Sequence, residues 1–260
     1  MNETFALETL IWPSLGLAHK EERWMMRRAL ILAVVCAAVA VVGRSDDGVP
    51  PTAHPDSSGW QDLFAPDLSN ATFPDGVWSV RDGLLIATKN ENLWTKEQYA
   101  NFIVDLEFQN GANGNSGLFI YASDLADRRA RMEVQILDDH DPRWANLTPT
   151  HVCGSICGRL APAKRAVKKP GEWNRMTVWC LGPRIFVLLN GERIIEMDLR
   201  QWTLPSTSPD GRALPSHLNI PLAELPAKGH LGLQGKHGSS DVLFRNVKIK
   251  PLSGVDSSEL

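Results

Sequence analysis

Apolar and polar residues alternate with a period of two through most of the chain between residues 60 and 252. In the run 102–109, Phe, Val, Leu and Phe occupy every second position, and the run 132–137 repeats the pattern with Met, Val and Ile. Because successive side chains of a strand point to opposite faces, this period predicts strands with one buried face. No stretch of this region shows a sustained helical period with caps. The pattern therefore predicts an all-β fold of two packed sheets or a barrel.

Turn signals separate the predicted strands. Asp82-Gly83 and Asn190-Gly191 each join two apolar-patterned runs, and such dipeptides favour two-residue hairpins. Three gaps are too long for hairpins: 138–151, 161–172 and 203–228. Long loops on a sandwich often surround a ligand, so we expect these gaps to form the walls of a cleft.

The N-terminal region is predicted to lie outside this fold. Two arginines precede the uncharged run 29–42, which is shorter than the roughly 20 residues that a transmembrane helix needs. A positive flank, a short apolar run and a small-x-small site are typical of a secretory signal, so we expect an exported, periplasmic or extracellular protein. The alternative is a membrane anchor formed by the uncleaved run. The predicted organisation is a mis-called start at 1–24, a signal peptide or anchor at 25–43, a disordered linker at 44–58, one domain at 59–252, and a tail at 253–260.

Composition narrows the class of protein. The chain has 260 residues, of which 43% are hydrophobic, and its net charge of −3 gives no basic field for nucleic acid. Disordered, coiled-coil and polytopic membrane proteins are excluded by the same figures. After cleavage three cysteines would remain, at 153, 157 and 180, and we expect small buried residues or one local disulfide.

The strongest candidate for chemistry is the strand Met132–Asp138. Its apolar residues must face the core, so Glu133 and Gln135 point together to the opposite face. Asp138 would join that face only through a bulge. Two carboxylates and an amide on one exposed face suit the recognition of polyols and proton transfer. The alternative is an ordinary polar outer face without a function.

Other candidates lie on two glycine-rich stretches and in the loops. Asn115 opens a strand beside glycines that allow a ligand to approach the backbone. Gln234 and His237 precede the last strand, and a histidine can act as a base, an acid or a ligand. Trp144 and Trp173 could stack on sugar rings, although core packing would explain either of them as well.

A metal site is a further hypothesis. Asp138, Asp139, His140, Asp141 and His151 are close in sequence, yet their spacing matches no diagnostic metal motif. An acidic loop explains the same composition, and the sequence assigns no ligands.

Taken in order, the motifs of this chain resemble those of one bacterial family. The matching segments are Gly59–Phe64, Asp67–Ser69, Trp78–Leu85, Leu93–Glu97, Tyr99–Phe102, Leu106–Phe108, Gly114–Gly117, Glu133–Asp138, Pro170–Asn174, Leu189–Gly191, Gly232–Gln234 and Phe244–Leu252. The set resembles the 3-keto-disaccharide hydrolase domain, also called the 3-keto-glucoside 1,2-lyase and 3-keto-2-hydroxy-glucal hydratase group. The resemblance covers residues 59–252 and implies a two-sheet, concanavalin A-like jelly-roll sandwich.

The resemblance also implies an activity. A ketone at C3 acidifies the C2 proton of the sugar, so a base can remove it, the aglycone leaves C1, and hydration completes a net hydrolysis. We expect Glu133 or His237 as the base, Asp138 as its partner, and Asn115, Gln135 and Gln234 as ligands of sugar hydroxyls. A divalent metal cation is the one cofactor that this chemistry would use, to stabilise the enediolate; a nucleotide cofactor is not expected.

Two other functions use the same features. A lectin-like carbohydrate-binding module needs the polar face and the tryptophans but no base. A structural surface domain needs none of these features. The expected partner is a keto-sugar or another glycan, with no nucleic acid, and with a membrane only through an uncleaved N-terminal segment.

Overall fold

The computed structural model describes residues 51–252, and all the strands named below lie within them. The strands are β1 Gln61–Asp62, β2 Ala71–Thr72, β3 Trp78–Arg81, β4 Leu84–Ala87, β5 Leu93–Tyr99, β6 Phe102–Asn110, β7 Asn115–Ala122, β8 Met132–Leu137, β9 Trp173–Leu181, β10 Arg184–Leu189, β11 Glu192–Asp198, β12 Gly229–Leu233 and β13 Val242–Pro251. The helical segments are single 3-10 turns at Pro142–Trp144, Pro149–His151, Leu199–Gln201, Ser216–Leu218 and Leu222–Glu224.

The strands form two antiparallel sheets. The larger sheet has the order β11-β10-β9-β6-β13-β4-β3, with β1 pairing on β13, and the smaller sheet has the order β2-β5-β12-β7-β8. The two sheets enclose one main core, to which both contribute their alternate apolar residues. This arrangement confirms the predicted all-β sandwich.

The period of two and the turn dipeptides form the strands and hairpins that they predict. Phe102, Val104, Leu106 and Phe108 are all completely buried, as the period of two requires. Asp82-Gly83 and Asn190-Gly191 form tight hairpin turns, and all four residues have positive φ angles between 51° and 85°. Asparagine, aspartate and glycine tolerate this left-handed region better than other residues do, which explains the two dipeptides.

The predicted linker differs from the structure at its C-terminal end. Nδ1 of His54 lies 2.7 Å from the hydroxyl of Thr177, and the hydroxyl of Ser57 donates to Asp105 at 2.5 Å. Segment 54–57 therefore packs on the larger sheet. The polar composition suggested a linker because it lacks apolar anchors, but here polar side chains bind a polar cluster.

The other N-terminal expectations, and the tail at 253–260, fall on residues outside the described range. Among residues 51–252, no helix has the length and apolar character needed to cross a membrane.

Candidate functional site

A polar hollow of the described domain lies over the β8 edge of the smaller sheet, on strands β7 and β8. Its volume is about 430 Å³, enough for a sugar-sized ligand. Strands β7 and β8 form its floor, and its walls come from the segments 144–159 and 217–218 and from the residues after β12. Two of the three long gaps, 138–151 and 203–228, therefore contribute to the walls as predicted. The gap 161–172 supplies no lining residue.

The floor is the outward face of β8. Met132, Val134 and Ile136 are buried in the core, while Glu133 and Gln135 line the hollow. Residue Arg131 precedes the strand in the same alternation and lines it too. The strand therefore has the predicted core face, and its opposite, polar face lines the hollow.

Glu133 folds over the neighbouring strand. A Cβ atom built on Gly117 of β7 would lie 2.2 Å from Oε1 of Glu133, so only a glycine leaves room for the carboxyl group there. Oε1 is shielded from solvent and has no hydrogen-bond partner in the described chain. Burial raises the pKa of Glu133 to about 7, although Arg131 and Arg128 act in the opposite direction. A carboxyl group with this pKa can exchange protons near neutral pH.

A loop closes the outer edge of β8. The backbone amide of Gln135 donates to the carbonyl of Ser155, and the amide of Gly154 donates to the carbonyl of Gln135. The amide of Cys157 donates to the carbonyl of Glu133, and all three hydrogen bonds measure 2.8 to 3.0 Å. The loop thus pairs with β8 like a short additional strand. It carries the chain onward so that Arg159 enters the hollow.

Two buried arginines give the hollow a positive character. The guanidinium of Arg131 lies over the rings of Phe119 and Trp94, with its central carbon 4.7 and 5.3 Å from their centroids. Arg159 is 2% exposed, and burial lowers its pKa to about 10, so it stays protonated at neutral pH. Neither arginine forms an ion pair within residues 51–252.

Six of the eleven buried side-chain polar atoms without partners in residues 51–252 belong to residues that line this hollow. They are Oε1 of Glu133, Oε1 of Gln135, Nε1 of Trp144, Nε and Nη2 of Arg159, and Oε1 of Gln234. The other five belong to Asn110, Asn113, Asp139 and Ser155. Buried polar groups are nearly always hydrogen-bonded, because an unmet donor or acceptor costs about 1–3 kcal/mol. A cluster of unmet donors and acceptors in one hollow indicates a site for a ligand rich in hydroxyl groups.

Most of the predicted site residues meet in this hollow. Asn115, Gln234, His237 and Trp144 line it together with Glu133 and Gln135. His237 is exposed, and its Nδ1 lies 2.7 Å from the side-chain nitrogen of Asn90.

Two predicted residues do not line it. Asp138 is buried, and its two carboxylate oxygens accept hydrogen bonds from the backbone amides of Asn113 and His140. The bulge that would have turned it outward is absent, and the side chain instead fixes the turn before β7. Trp173 lies on the larger sheet, where the guanidinium of Arg245 sits 3.9 Å from its ring centroid.

Sequence reasoning missed several lining residues. Arg131 could have been found by extending the alternation of β8 by one step. Arg159 and His217 come from loops whose paths no local pattern specifies. His151 was considered only as a metal ligand, and it also lines the hollow. The burial of His151 and the proximity of His217 lower the pKa of His151.

The predicted metal has no ligand set here. Within residues 51–252 no group of three or more His, Cys, Asp or Glu side chains is arranged to hold a metal ion. Of the acidic residues considered, Asp138 and Asp139 both accept backbone hydrogen bonds. The donor set does not fit a divalent cation, and we derive no step through one.

Comparisons with known proteins identify relatives of this chain. A crystal structure of a "putative glycosyl hydrolase" from Parabacteroides distasonis is 47% identical, with a TM-score of 0.72, over 74% of this chain and 99% of that one. A second such structure from that organism, 24% identical with a TM-score of 0.59 over 72% of this chain and 90% of that one, shares the fold.

The curated 3-keto-disaccharide hydrolase of Bacteroides thetaiotaomicron is 25% identical over 175 residues. The match spans 60% of this chain and 60% of that relative. The profile of the 3-keto-alpha-glucoside-1,2-lyase-like domain matches residues 55–250. The chain therefore belongs to the 3-keto-alpha-glucoside-1,2-lyase-like domain family.

Proposed function

We propose that this protein cleaves 3-keto-glycosides by removing the C2 proton, expelling the aglycone from C1 and hydrating the product. The observation that carries the proposal is the set of unpartnered polar atoms from five side chains around one hollow. A sugar presents several hydroxyl groups over a small volume, and each can meet one of these atoms. Membership of the family supports the same substrate class.

The bond changes balance without an external oxidant or reductant. A base takes the C2 proton, the C–H electron pair forms a C2–C3 double bond, and the ketone becomes an enolate. The enolate pair then returns, a C1–C2 double bond forms, and the C1–O bond breaks as the leaving oxygen takes a proton. Addition of water across C1 and C2 restores a saturated ring and yields a free 3-keto-sugar. The net reaction is hydrolysis.

Glu133 is the base in this proposal. It is the only carboxylate among the described residues that line the hollow, and its unpartnered Oε1 is free to accept a proton. A pKa of about 7 leaves a useful fraction of carboxylate at neutral pH and makes it a stronger base than an exposed glutamate. The enclosed position also keeps bulk water from competing for the proton.

The remaining side chains bind and orient the sugar. Gln135 and Gln234 offer carbonyl oxygens to hydroxyl donors, and Nε1 of Trp144 offers a donor to a hydroxyl oxygen. Asn115 stands beside them on β7. His237 lies at the rim, where it can give a proton to the leaving oxygen and take one from the attacking water.

The direct test is turnover of a 3-keto-disaccharide, followed by the release of free sugar. The reaction is repeated in deuterated water, because reversible removal of the C2 proton introduces deuterium at C2. We expect release and exchange with the wild-type protein, and loss of both with Glu133→Gln. Glu224→Gln, which changes an exposed glutamate outside the hollow, serves as the matched control.

A carbohydrate-binding module without activity is the second candidate, because the same unpartnered atoms would hold a sugar that never reacts. Binding of the keto-disaccharide by calorimetry, with neither release nor exchange, would establish that function instead. If the protein neither binds nor cleaves the sugar, both functions are refuted.

Export is part of the proposal and rests on the run 29–42. Fractionation of expressing cells should place the protein in the periplasm or medium. Deletion of residues 1–43 should retain it in the cytoplasm.

A further inference from the structure

The arginines of the hollow differ from most of the other arginines of the described domain, among which only Arg81 and Arg165 also form no ion pair. Eight described arginines outside the hollow form ion pairs with aspartate or glutamate. Arg128, Arg131 and Arg159 line the hollow, and none of them does so. The chain as a whole is slightly acidic, so this local excess of positive charge is not a consequence of composition.

Arg159 is the most unusual of the three. It is among the largest fully buried side chains of the described range, and its only side-chain hydrogen bond there runs from Nη1 to the carbonyl of Arg131 at 3.4 Å. Its Nε and Nη2 have no partner in the described chain. A buried cation without an anion is costly to keep, and such arrangements cluster at functional sites.

The backbone around Arg159 is fixed in place. Gly158 adopts a φ of +72°, a conformation that favours glycine, and the amide of Arg159 donates to Ile156 at 2.8 Å. The carbonyl of Arg159 accepts from Nη2 of Arg212 at 3.3 Å. The side chain is therefore directed into the hollow by a loop bonded on both sides.

We infer that Arg159 is a catalytic residue that binds the C3 oxygen of the sugar and stabilises the enolate formed when Glu133 removes the C2 proton. The inference rests on the proposed function. In the ground state the C3 oxygen is a neutral ketone, and it carries a full negative charge only after the C–H electron pair has moved into the C2–C3 bond. Two unpartnered N–H groups on one cation meet that charge without rearranging.

The other two arginines are less suited to this role. The guanidinium of Arg131 lies over the rings of Phe119 and Trp94, and its Nη1 donates to the carbonyl of Leu125. Arg128 is exposed, so water screens its charge. Donors in a water-excluded site act more strongly on a developing oxyanion than exposed ones do.

The test compares Arg159→Met and Arg159→Lys with the wild-type protein on a 3-keto-disaccharide. Removing one preorganised donor from an oxyanion site lowers kcat by about 100- to 1000-fold, and we expect that loss for Arg159→Met with a KM change below about threefold. Exchange of the C2 proton for deuterium should fall in parallel. Arg159→Lys keeps the charge but not the planar pair of donors, so its kcat should fall by at least about tenfold. Arg81→Met is the control for loss of an arginine, since Arg81 is exposed on β3 of the larger sheet.

The outcomes separate the two hypotheses. If the wild-type protein neither releases sugar nor exchanges the C2 proton, the proposed function fails and the role of Arg159 fails with it. If the wild type is active and Arg159→Met keeps its kcat, or loses only affinity for the substrate, the proposed function stands and the role of Arg159 is refuted. Circular dichroism checks folding, and if Arg159→Met does not fold, the kcat and C2 exchange of Arg159→Lys decide.

Discussion

Replacing Glu133 with glutamine keeps the size of the side chain and removes its ionisation. The wild-type carboxyl group has a pKa of about 7 in the folded protein, against 4.5 for an unperturbed glutamate. Between these two values the folded state holds a proton that the unfolded state has released. Stability therefore falls as the pH rises through this window, because ionisation is easier in the unfolded chain.

The size of this effect follows from the two pKa values. The shift corresponds to at most about 3 kcal/mol, since one pKa unit is worth about 1.4 kcal/mol. Most of it develops between pH 5 and pH 8, where the wild type loses about 2–3 kcal/mol of unfolding free energy through this group. Glu133→Gln has no ionisable group at this position, so its unfolding free energy should not fall for this reason. Any cost of burying the amide is the same at both pH values, so the comparison uses the difference between them.

Urea unfolding at pH 5 and pH 8 measures the effect. Relative to the wild type, Glu133→Gln should gain about 2–3 kcal/mol on going from pH 5 to pH 8, while kcat on a 3-keto-disaccharide falls by at least about 100-fold. Glu224→Gln, an exposed change of the same kind, should follow the wild type in both respects. The reasoning is refuted if Glu133→Gln shows the same pH dependence of stability as the wild type.

Three further changes examine the hollow and one polar cluster outside it. Gly117→Ala places a methyl group in forbidden contact with the side chain of Glu133, which must move away. The kcat should fall by about 100-fold, as a displacement of about 1 Å does, and a fully active Gly117→Ala would contradict this. Gly59→Ala meets no atom within 4 Å and should leave activity unchanged. Trp144→Phe removes Nε1 but keeps an aromatic ring, so KM should rise by up to about tenfold with little change in kcat. An unchanged KM would mean that the sugar binds elsewhere. Asp105→Ala breaks an ion pair with Arg175 on the larger sheet, so the free energy of unfolding should fall by about 3 kcal/mol in a thermal unfolding experiment. The KM should stay unchanged, and a change in KM would link that cluster to the site.

The strands and the ligand face of β8 were predictable because both depend on a local period. Once Met132, Val134 and Ile136 are assigned to the core, the alternation of side chains along the strand directs Glu133 and Gln135 to the opposite face. The hairpins at 82–83 and 190–191 were predictable for a similar reason, since few residues adopt positive φ angles. In each case the information lies within a few neighbouring residues.

The loops were not predictable from such patterns. Asp138 was expected to face the ligand, but two backbone amides from different turns bind its carboxylate and hold it inside. Arg159 depends on pairing between the loop 154–157 and the edge of β8, which joins residues about 20 positions apart. A bond of this kind is decided by the path of the chain and leaves no period in the sequence.

The separation of charges in the hollow is a requirement of the proposed chemistry. Glu133 and Arg159 line the same hollow, carry opposite charges when ionised, and do not form an ion pair. If they did, the arginine would hold the pKa of the carboxyl group low, and the carboxylate would be a weaker base towards C2. The N–H groups of the guanidinium would also donate their hydrogen bonds to Glu133 and would not be available to the enolate. Because each group is buried and outside an ion pair, both keep their reactivity until a sugar enters the hollow.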